Sequence, residues 1–363
     1  LRILFISEYF YPRVAGGEVW SWDLCRGLAE AGHEVVVVTG TEKPIYYNRE
    51  RIENILIHRV GTIRNNFFQR IKFMRELKYF LKEVLDKEEY DIVHIMGYIP
   101  LLPVLMSKIK GKHIWSIHSY LGKYWNKISG ASGIINWMFE DFLLNIGCRK
   151  CGCQVPSSYI KNKIGNDKIK VFPNYVDTKE IHKHTKNITK NYVVKNYGVG
   201  KHQKVFCAVG SLQKVKGFDR LIEAISHTHN DYLIIVGDGP ERENLQNMIK
   251  DYNLDNRVFL VGKKSRTETL KIMKSCDIFV SSSYVESFSY VMAEAEVLGK
   301  PIISSDTGIA REIKERTSGQ IQILDDMREI CNYWGFVKPT DGIKDGMSRA
   351  DYADKFIQGV YGR

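Results

Sequence analysis

The stretch Asp277–Glu294, DIFVSSSYVESFSYVMAE, runs from a short apolar segment through a serine-rich turn into a second apolar segment. Asp277–Ser281 has the length and composition of a strand buried on both faces, and Val291–Leu298 has those of a helix packed against it. The pattern repeats on either side. Downstream, Pro301–Ser304 reads as another strand. Upstream, strands at Lys204–Val209, Tyr232–Val236 and Arg257–Val261 alternate with helices at Gly217–His227, Glu241–Tyr252 and Thr267–Ser275. Regular alternation of this kind predicts a parallel, doubly wound sheet covered by helices.

The first half has the same grammar. Strands are predicted at Arg2–Ser7, Glu34–Thr39, Ile55–Val60, Asp91–Ile95 and His113–Ile117, with helices at Glu18–Ala31 and Phe67–Leu85. Gly16 and Gly17 fall in the loop after the first strand. The polar stretch His182–Lys204 is where the domain linker is expected. The chain is therefore read as α/β, with two Rossmann-like doubly wound domains facing across a cleft, over residues 1–185 and 186–345. A C-terminal helix within 346–363 is expected to pack back on the first domain. Ligands of such sheets bind beyond the carboxyl ends of the strands, where the strand order reverses.

Composition narrows the classes. At 363 residues and 44% hydrophobic content, the chain has enough apolar surface for two cores. Lys plus Arg number 53 against 42 Asp plus Glu, a net charge of +11. Such a charge favours a polyanionic partner, whether phosphorylated ligand or anionic membrane. Nucleic acid is set aside because no nucleic-acid module appears. No apolar run reaches about 18 residues, and the opening LRILFIS reads as a strand rather than a signal peptide. A cytoplasmic protein is expected, peripheral on the inner face of the membrane at most. Of seven cysteines, Cys148, Cys151 and Cys153 cluster without a fourth nearby ligand, so they read as small core residues rather than a metal site.

Two carboxylates stand out. Glu286 lies in the turn and Glu294 in the following helix, with seven residues between. A fully helical spacer would set them up to about 12 Å apart, wider than the roughly 5–9.5 Å of a glycosidase acid/base pair. They suit two hydroxyl-bearing ends of one elongated ligand, with the helix N-terminus between them receiving phosphate. Glu296 reads as an ordinary solvated helix residue.

The ordered motifs resemble the family 4 glycosyltransferases, which have the GT-B fold and a Glu-x7-Glu motif. Val209-Gly210-Ser211-Leu212 with Lys216-Gly217 resembles that family's phosphate-binding turn, and Val236-Gly237-Asp238-Gly239-Pro240 its second glycine turn. Val258–Gly262 resembles the nucleobase-side strand, and Pro173–Asp177 a further family segment with Tyr175 at a usual glycine. In the first half, Gly16-Gly17, Tyr90–His94 and Ile117-His118 also match.

The resemblance implies a retaining transfer from a nucleotide-diphosphate sugar, UDP- or GDP-linked, to an acceptor, most readily a membrane lipid or lipid-linked glycan. It implies no cofactor and no metal. It gives catalytic roles to His118, Glu286 and Lys216. It gives donor-binding roles to Gly16, Gly17, Gly210, Ser211, Lys216, Gly237, Val261, Phe288, Ser289, Tyr290, Val291 and Glu294. Within that set Glu294 takes the ribose hydroxyls, Glu286 the sugar and Lys216 the diphosphate. An Asp-x-Asp pair, the usual metal-bridging motif, is absent from the sequence.

Besides Tyr175, three residues depart from the family pattern. Ser211 replaces a diphosphate-clamping Arg, for which Arg13 or Arg266 is the expected stand-in. Ser289 and Ile309 replace glycines, and their side chains are expected to narrow the donor pocket. These departures keep a catalytically silent sugar-nucleotide binder open as an alternative, beside a GT-B epimerase. Finally, Arg64–Lys82 interleaves aromatics with Arg70, Lys72, Arg75 and Lys78, and Tyr120–Trp137 carries further aromatics with Lys123 and Lys127. Both stretches suit a headgroup layer, as does an ordinary amphipathic helix.

Overall fold

Apolar runs of four to eight residues become the central strands here because both their faces are covered. In the computed structural model, which describes residues 1–13, 15–42, 47–63, 67–85, 88–129, 131–333, 335 and 337–362, they form two parallel sheets. Each sheet lies in its own unit: Leu1–Tyr175 with Met347–Arg363, and Val176–Gly346.

The first unit contains β1 (Arg2–Ser7), β2 (Glu34–Thr41), β3 (Tyr47–Ile52), β4 (Ile55–Thr62), β5 (Glu89–Met96), β6 (Lys110–Ser116), β7 (Gly152–Val155) and β8 (Lys170–Val171). Their order is β3-β4-β2-β1-β5-β6-β7-β8. Only the β3–β4 pair is antiparallel. At the centre, Ile3–Ser7 of β1 pairs with Val35–Thr39 on one side and Ile92–Met96 on the other. All five of these β1 residues are buried, as a strand covered on both faces requires.

The second unit contains β9 (Val205–Val209), β10 (Tyr232–Val236), β11 (Val258–Leu260), β12 (Ile278–Ser281), β13 (Ile302–Ser305) and β14 (Ile321–Leu324). Their order is β11-β10-β9-β12-β13-β14, parallel throughout.

The boundary differs from the expected one. His182–Lys204 is not a linker: it carries the second half of the helix Thr178–Thr185 and all of Asn191–Tyr197, both within the second unit. Asp177 caps the first helix by accepting from the Glu180 amide at 2.8 Å. Ile181 and Val193 enter the core, and Lys190 pairs with Asp277 at 2.6 Å. Short helices with one buried apolar residue each carry too little apolar signal to stand out among lysines and histidines. The units meet in sequence at Tyr175 and Val176, so the expected division at 185/186 is corrected to 175/176.

Residues 347–363 group with the first unit. Arg349 of the helix Arg349–Phe356 donates to Asp23 at 3.2 Å and Glu30 at 2.9 Å, and Trp20 Nε1 donates to the Tyr352 hydroxyl at 2.9 Å. Gly27 makes this approach possible, since a Cβ there would strike the Arg349 carbonyl.

Candidate functional site

In the second unit the strand order reverses between β9 and β12, the point at which ligands of such sheets bind. The loops after these two strands carry the residues singled out from sequence. After β9 the chain passes Gly210 and Ser211 to a single turn at Lys214–Lys216. Gly217 then takes a left-handed conformation, φ 63°, and a side chain there would strike the Ser282 carbonyl. After β12 the chain passes Ser282–Ser289 into the helix Tyr290–Val297. The two loops are stitched together. Ser282 Oγ donates to the Lys216 carbonyl at 2.8 Å, and the Tyr284 amide donates to the Val215 carbonyl at 2.8 Å.

This stitching brings Lys216 and Glu286 into contact, with Nζ to Oε1 at 2.5 Å. Ser283 Oγ donates to the same oxygen at 3.0 Å. A third loop backs the pair. The Gly308 amide donates to the Glu286 carbonyl and the Ile309 amide to the Phe288 carbonyl, each at 3.2 Å. A Cβ on Gly308 would lie 2.6 Å from the Phe288 carbonyl oxygen, so glycine is required for this approach.

The glycine turns pack on one another. The Gly210 amide bonds to Val236 O, that of Leu212 to Asp238 O, and that of Gly237 to Gly262 O, all at 3.0 Å. Val261 is tied to β10 through the Ile235 carbonyl at 3.1 Å. Gly210, Gly237 and Val261 thus sit on one continuous rim, beside the Lys216–Glu286 pair.

Glu294 is the fifth residue of the helix Tyr290–Val297 and is buried, 3% exposed. Its Oε1 accepts from Arg266 Nη1, and Arg266 Nε also reaches Glu180 Oε1 at 3.3 Å. Burial pushes the Glu294 carboxyl up from its ordinary value, and the adjacent guanidinium opposes that shift. Arg266, one of the two expected stand-ins for the missing Arg at 211, is paired here with Glu294 and Glu180. Arg13 is likewise engaged, pairing with Glu18 and Glu42 and stacking on Tyr9. Ser211 is exposed, and the cations in its loop are Lys214 and Lys216. The sequence did hold one signal for Arg266. Ser265-x-x-Glu268 is a capping box, here fully formed, which fixes Arg266 as the first residue of its helix.

Two further expectations are corrected. Ile309 is 2% exposed within the core of the unit, so it does not narrow a pocket. Glu296 is not solvated. It is buried and makes two bonds of 2.5 Å to Arg316.

Ser289, at the amino end of the helix Tyr290–Val297, has φ 70°, and its hydroxyl is buried without a hydrogen-bond partner. Left-handed backbone costs a residue with a Cβ roughly 1–2 kcal/mol, part of which glycine returns through the unfolded chain. Ser289→Gly is therefore expected to stabilise the second unit by about 1 kcal/mol, raising its thermal midpoint by about 2–4 °C. Calorimetry checks this, and a lowered midpoint contradicts it. Next to Ser289, buried Phe288 meets the Tyr290 ring edge-on at 5.2 Å, and Val291 is half-buried.

In the first unit, Gly16 and Gly17 open the helix Gly16–Glu30 just beyond β1. His118 follows β6 and lies under Trp20, ring centroids 4.0 Å apart. Its Nε2 is shielded from solvent and has no hydrogen-bond partner among the described residues. Burial pushes its pKa down to about 3, so the imidazole is neutral at physiological pH. His94, by contrast, is structural, bonded to Tyr361 at 2.7 Å and Ser116 at 2.8 Å.

The basic helix Phe67–Phe80 buries Phe73, Leu77 and Phe80. Of its four singled-out cations, Arg70 lies 3.4 Å from Glu8 and Lys72 lies 3.7 Å from Glu76, while Arg75 and Lys78 are exposed. Arg64 lies outside the described residues. A stronger apolar surface stands on the helix Ala131–Lys150, where Ile134, Ile135, Met138, Phe139 and Phe142 are all exposed, Ile135 at 70%. Glu140 on the same helix accepts from the Gly122 amide at 2.8 Å, and Lys123 lies over the Trp137 ring at 5.9 Å. Among the described residues no helix is long and apolar enough to cross a membrane. Among them, too, no group of three His, Cys, Asp or Glu side chains is arranged to hold a metal ion.

Comparison with known proteins agrees with this layout. Residues 191–320 match the family described as Glycosyl transferases group 1, and residues 14–180 match Glycosyltransferase Family 4. The chain is 27% identical to an uncharacterized glycosyltransferase of Methanocaldococcus jannaschii, over 96% of this chain and 88% of that one. It is 26% identical to the N-acetyl-alpha-D-glucosaminyl L-malate synthase of Bacillus anthracis, over 84% and 79%. Among solved structures it is similar to Anabaena HepE in complex with UDP. The TM-score is 0.67, the identity 17%, and the match covers 99% of this chain and 96% of that one.

Proposed function

The chain belongs to the family 4 glycosyltransferases and has the GT-B fold, and from that premise we propose that it moves a sugar from a nucleoside-diphosphate sugar to a hydroxyl on a membrane lipid, with retention at the anomeric carbon. The bond between that carbon and the diphosphate oxygen breaks, and a bond to the acceptor oxygen forms. The acceptor proton leaves with the nucleoside diphosphate.

The observation that carries this reading is the Lys216–Glu286 contact at the reversal point of the second sheet. A departing diphosphate gathers negative charge. Lys216, Lys214 and the first amides of the helix Tyr290–Val297 supply fixed positive charge against it. On this reading Glu286, released from Lys216 by the diphosphate, accepts from the sugar hydroxyls. Gly210, Ser211 and Gly237 let backbone approach the phosphates, while Phe288, Ser289, Tyr290 and Val291 line the sugar side. Val261 abuts the base and Glu294 the ribose. Gly16 and Gly17, at the start of the helix Gly16–Glu30, take their phosphate role from the family resemblance. His118 serves as a neutral hydrogen-bonding group, so its own titration leaves no inflection near pH 6.5 in the rate profile. With charge supplied this way, transfer is expected to proceed in excess EDTA.

The lipid acceptor rests on the ridge of Ala131–Lys150. Five large apolar side chains beside Lys123 and Lys127 match the layer where acyl chains meet anionic headgroups. The test uses radiolabelled UDP- and GDP-sugars in EDTA, with anionic lipid vesicles or with malate, the acceptor named for the Bacillus anthracis relative. Label is expected in the organic phase. Co-sedimentation with the vesicles is expected to fall at least about fivefold in Ile135→Ser/Met138→Ser/Phe142→Ser. Label in malate alone, or co-sedimentation unchanged by the triple substitution, contradicts the lipid assignment.

A further inference from the structure

Glu294 presents a chemical problem. A carboxylate buried this fully is unfavourable as an anion, yet a ribose diol donates its two hydroxyl protons and needs an ionised, acceptor-only partner. The structure contains a device that meets both demands. Arg266, fixed at the start of its helix by the Ser265–Glu268 capping box, places Nη1 on Glu294 Oε1. Its Nε points to Glu180, which stands on the helix Thr178–Thr185. One guanidinium is thus shared between two carboxylates. Among the described residues only Oε1 of Glu294 is engaged, which leaves Oε2 for a ligand.

We propose that Arg266 is a positioning residue for the nucleotide: braced by Glu180, it holds the Glu294 carboxylate in one orientation, charged and ready to accept the ribose hydroxyls. This rests on the reading that Glu294 binds ribose, and adds the residue through which Glu294 does so.

The surroundings leave this task to Arg266. The helix carrying Glu294 packs against Thr178–Thr185, Arg266–Ser275, β12 and β13. Neither strand contributes a charged residue. Lys274 is engaged by the Leu298 carbonyl at 3.2 Å. His184 approaches Glu180, at 3.8 Å. On the helix itself, Glu296 is paired with Arg316. Burial raises the Glu294 pKa, the guanidinium lowers it, and Glu180 raises it again. Without Arg266, both remaining influences favour the protonated acid. A protonated Glu294 donates where it should accept.

The experiment compares the affinities of a nucleoside 5′-diphosphate and its 2′,3′-dideoxy analogue by calorimetric titration between pH 6 and 9. The nucleotide is whichever of UDP, GDP and ADP binds tightest. The two ligands share their phosphate titration, so the ratio of their dissociation constants isolates the ribose hydroxyls. In the unaltered protein this ratio is expected to be about tenfold or more and flat with pH. In Arg266→Met it is expected to fall below twofold at pH 6 and to recover as pH rises and Glu294 ionises. Arg266→Lys is expected to restore most of it. Glu294→Gln is expected to be low at every pH. A ratio in Arg266→Met equal to that of the unaltered protein, or lowered equally at all pH values, overturns the proposal while leaving the ribose reading standing. A ratio near one in the unaltered protein, or no binding of any of the three nucleotides, overturns both. Arg266→Lys keeps the test decisive if Arg266→Met fails to fold, because a ratio there as low as in Glu294→Gln at every pH also contradicts the proposal.

Discussion

Exchanging Lys216 for methionine is expected to lower kcat/KM for the sugar nucleotide by about 10²–10³-fold, the loss typical of removing a preorganised group that meets developing charge. Two effects combine. The diphosphate loses the ammonium held beside it, leaving Lys214 and backbone amides. Glu286 loses the 2.5 Å partner that compensates its carboxylate and keeps only the Ser283 hydroxyl. Arginine at the same position keeps the charge but not the compact geometry of an ammonium fitted between two loops, so Lys216→Arg should recover activity only in part. Steady-state kinetics on the purified variants measure this. A change below threefold for methionine means that the diphosphate is held elsewhere.

Glu286→Gln is expected to act on turnover, lowering kcat by roughly 10–100-fold while the donor KM moves less than threefold. The amide keeps the shape of the side chain and one acceptor but ends the ion pair with Lys216. The neighbouring backbone is anchored independently, through Gly308 and Ile309 to the carbonyls of residues 286 and 288, so the loop keeps its place. Glu294→Ala, at the other end of the ligand, is expected to weaken donor affinity instead. If the two substitutions change the same kinetic constant to the same extent, the division of labour between sugar and ribose is wrong.

The doubly wound halves were legible in the sequence because their strands are buried on both faces and stand out as unbroken apolar runs. Tyr232–Val236 was delimited to the residue. The longest helix, Ala131–Lys150, was not legible. Its apolar residues lie all round it, some facing the core and some facing outward, so it lacks the one-sided periodicity that reveals a helix. The boundary was missed for the opposite reason, since Thr178–Thr185 and Asn191–Tyr197 present one buried apolar residue each, Ile181 and Val193, against a polar background.

Within the site, Lys216, Glu286, Gly210, Gly237, Ser289 and Glu294 are picked out from motifs, and all six belong to the second unit. What motifs do not give is pairing across loops. That Arg266 belongs to Glu294, that Ser283 supports Glu286, and that Arg316 neutralises Glu296 depends on contacts spanning 28, 3 and 20 positions. The two long-range pairs follow from strand order rather than from local spacing. Ser289 was noticed as a departure from glycine, and its positive φ gives the reason glycine suits that position.

The central claim is that the Lys216–Glu286 site cleaves a nucleoside-diphosphate sugar. Mass spectrometry of reaction mixtures tests it most directly. Purified protein is incubated in EDTA with a panel of UDP-, GDP- and ADP-sugars, in the presence of lipid vesicles and malate. One sugar nucleotide is expected to be consumed with stoichiometric appearance of its nucleoside diphosphate, at least about a hundredfold more slowly with Lys216→Met. Consumption of none of the panel, or consumption that Lys216→Met leaves unchanged, would contradict it.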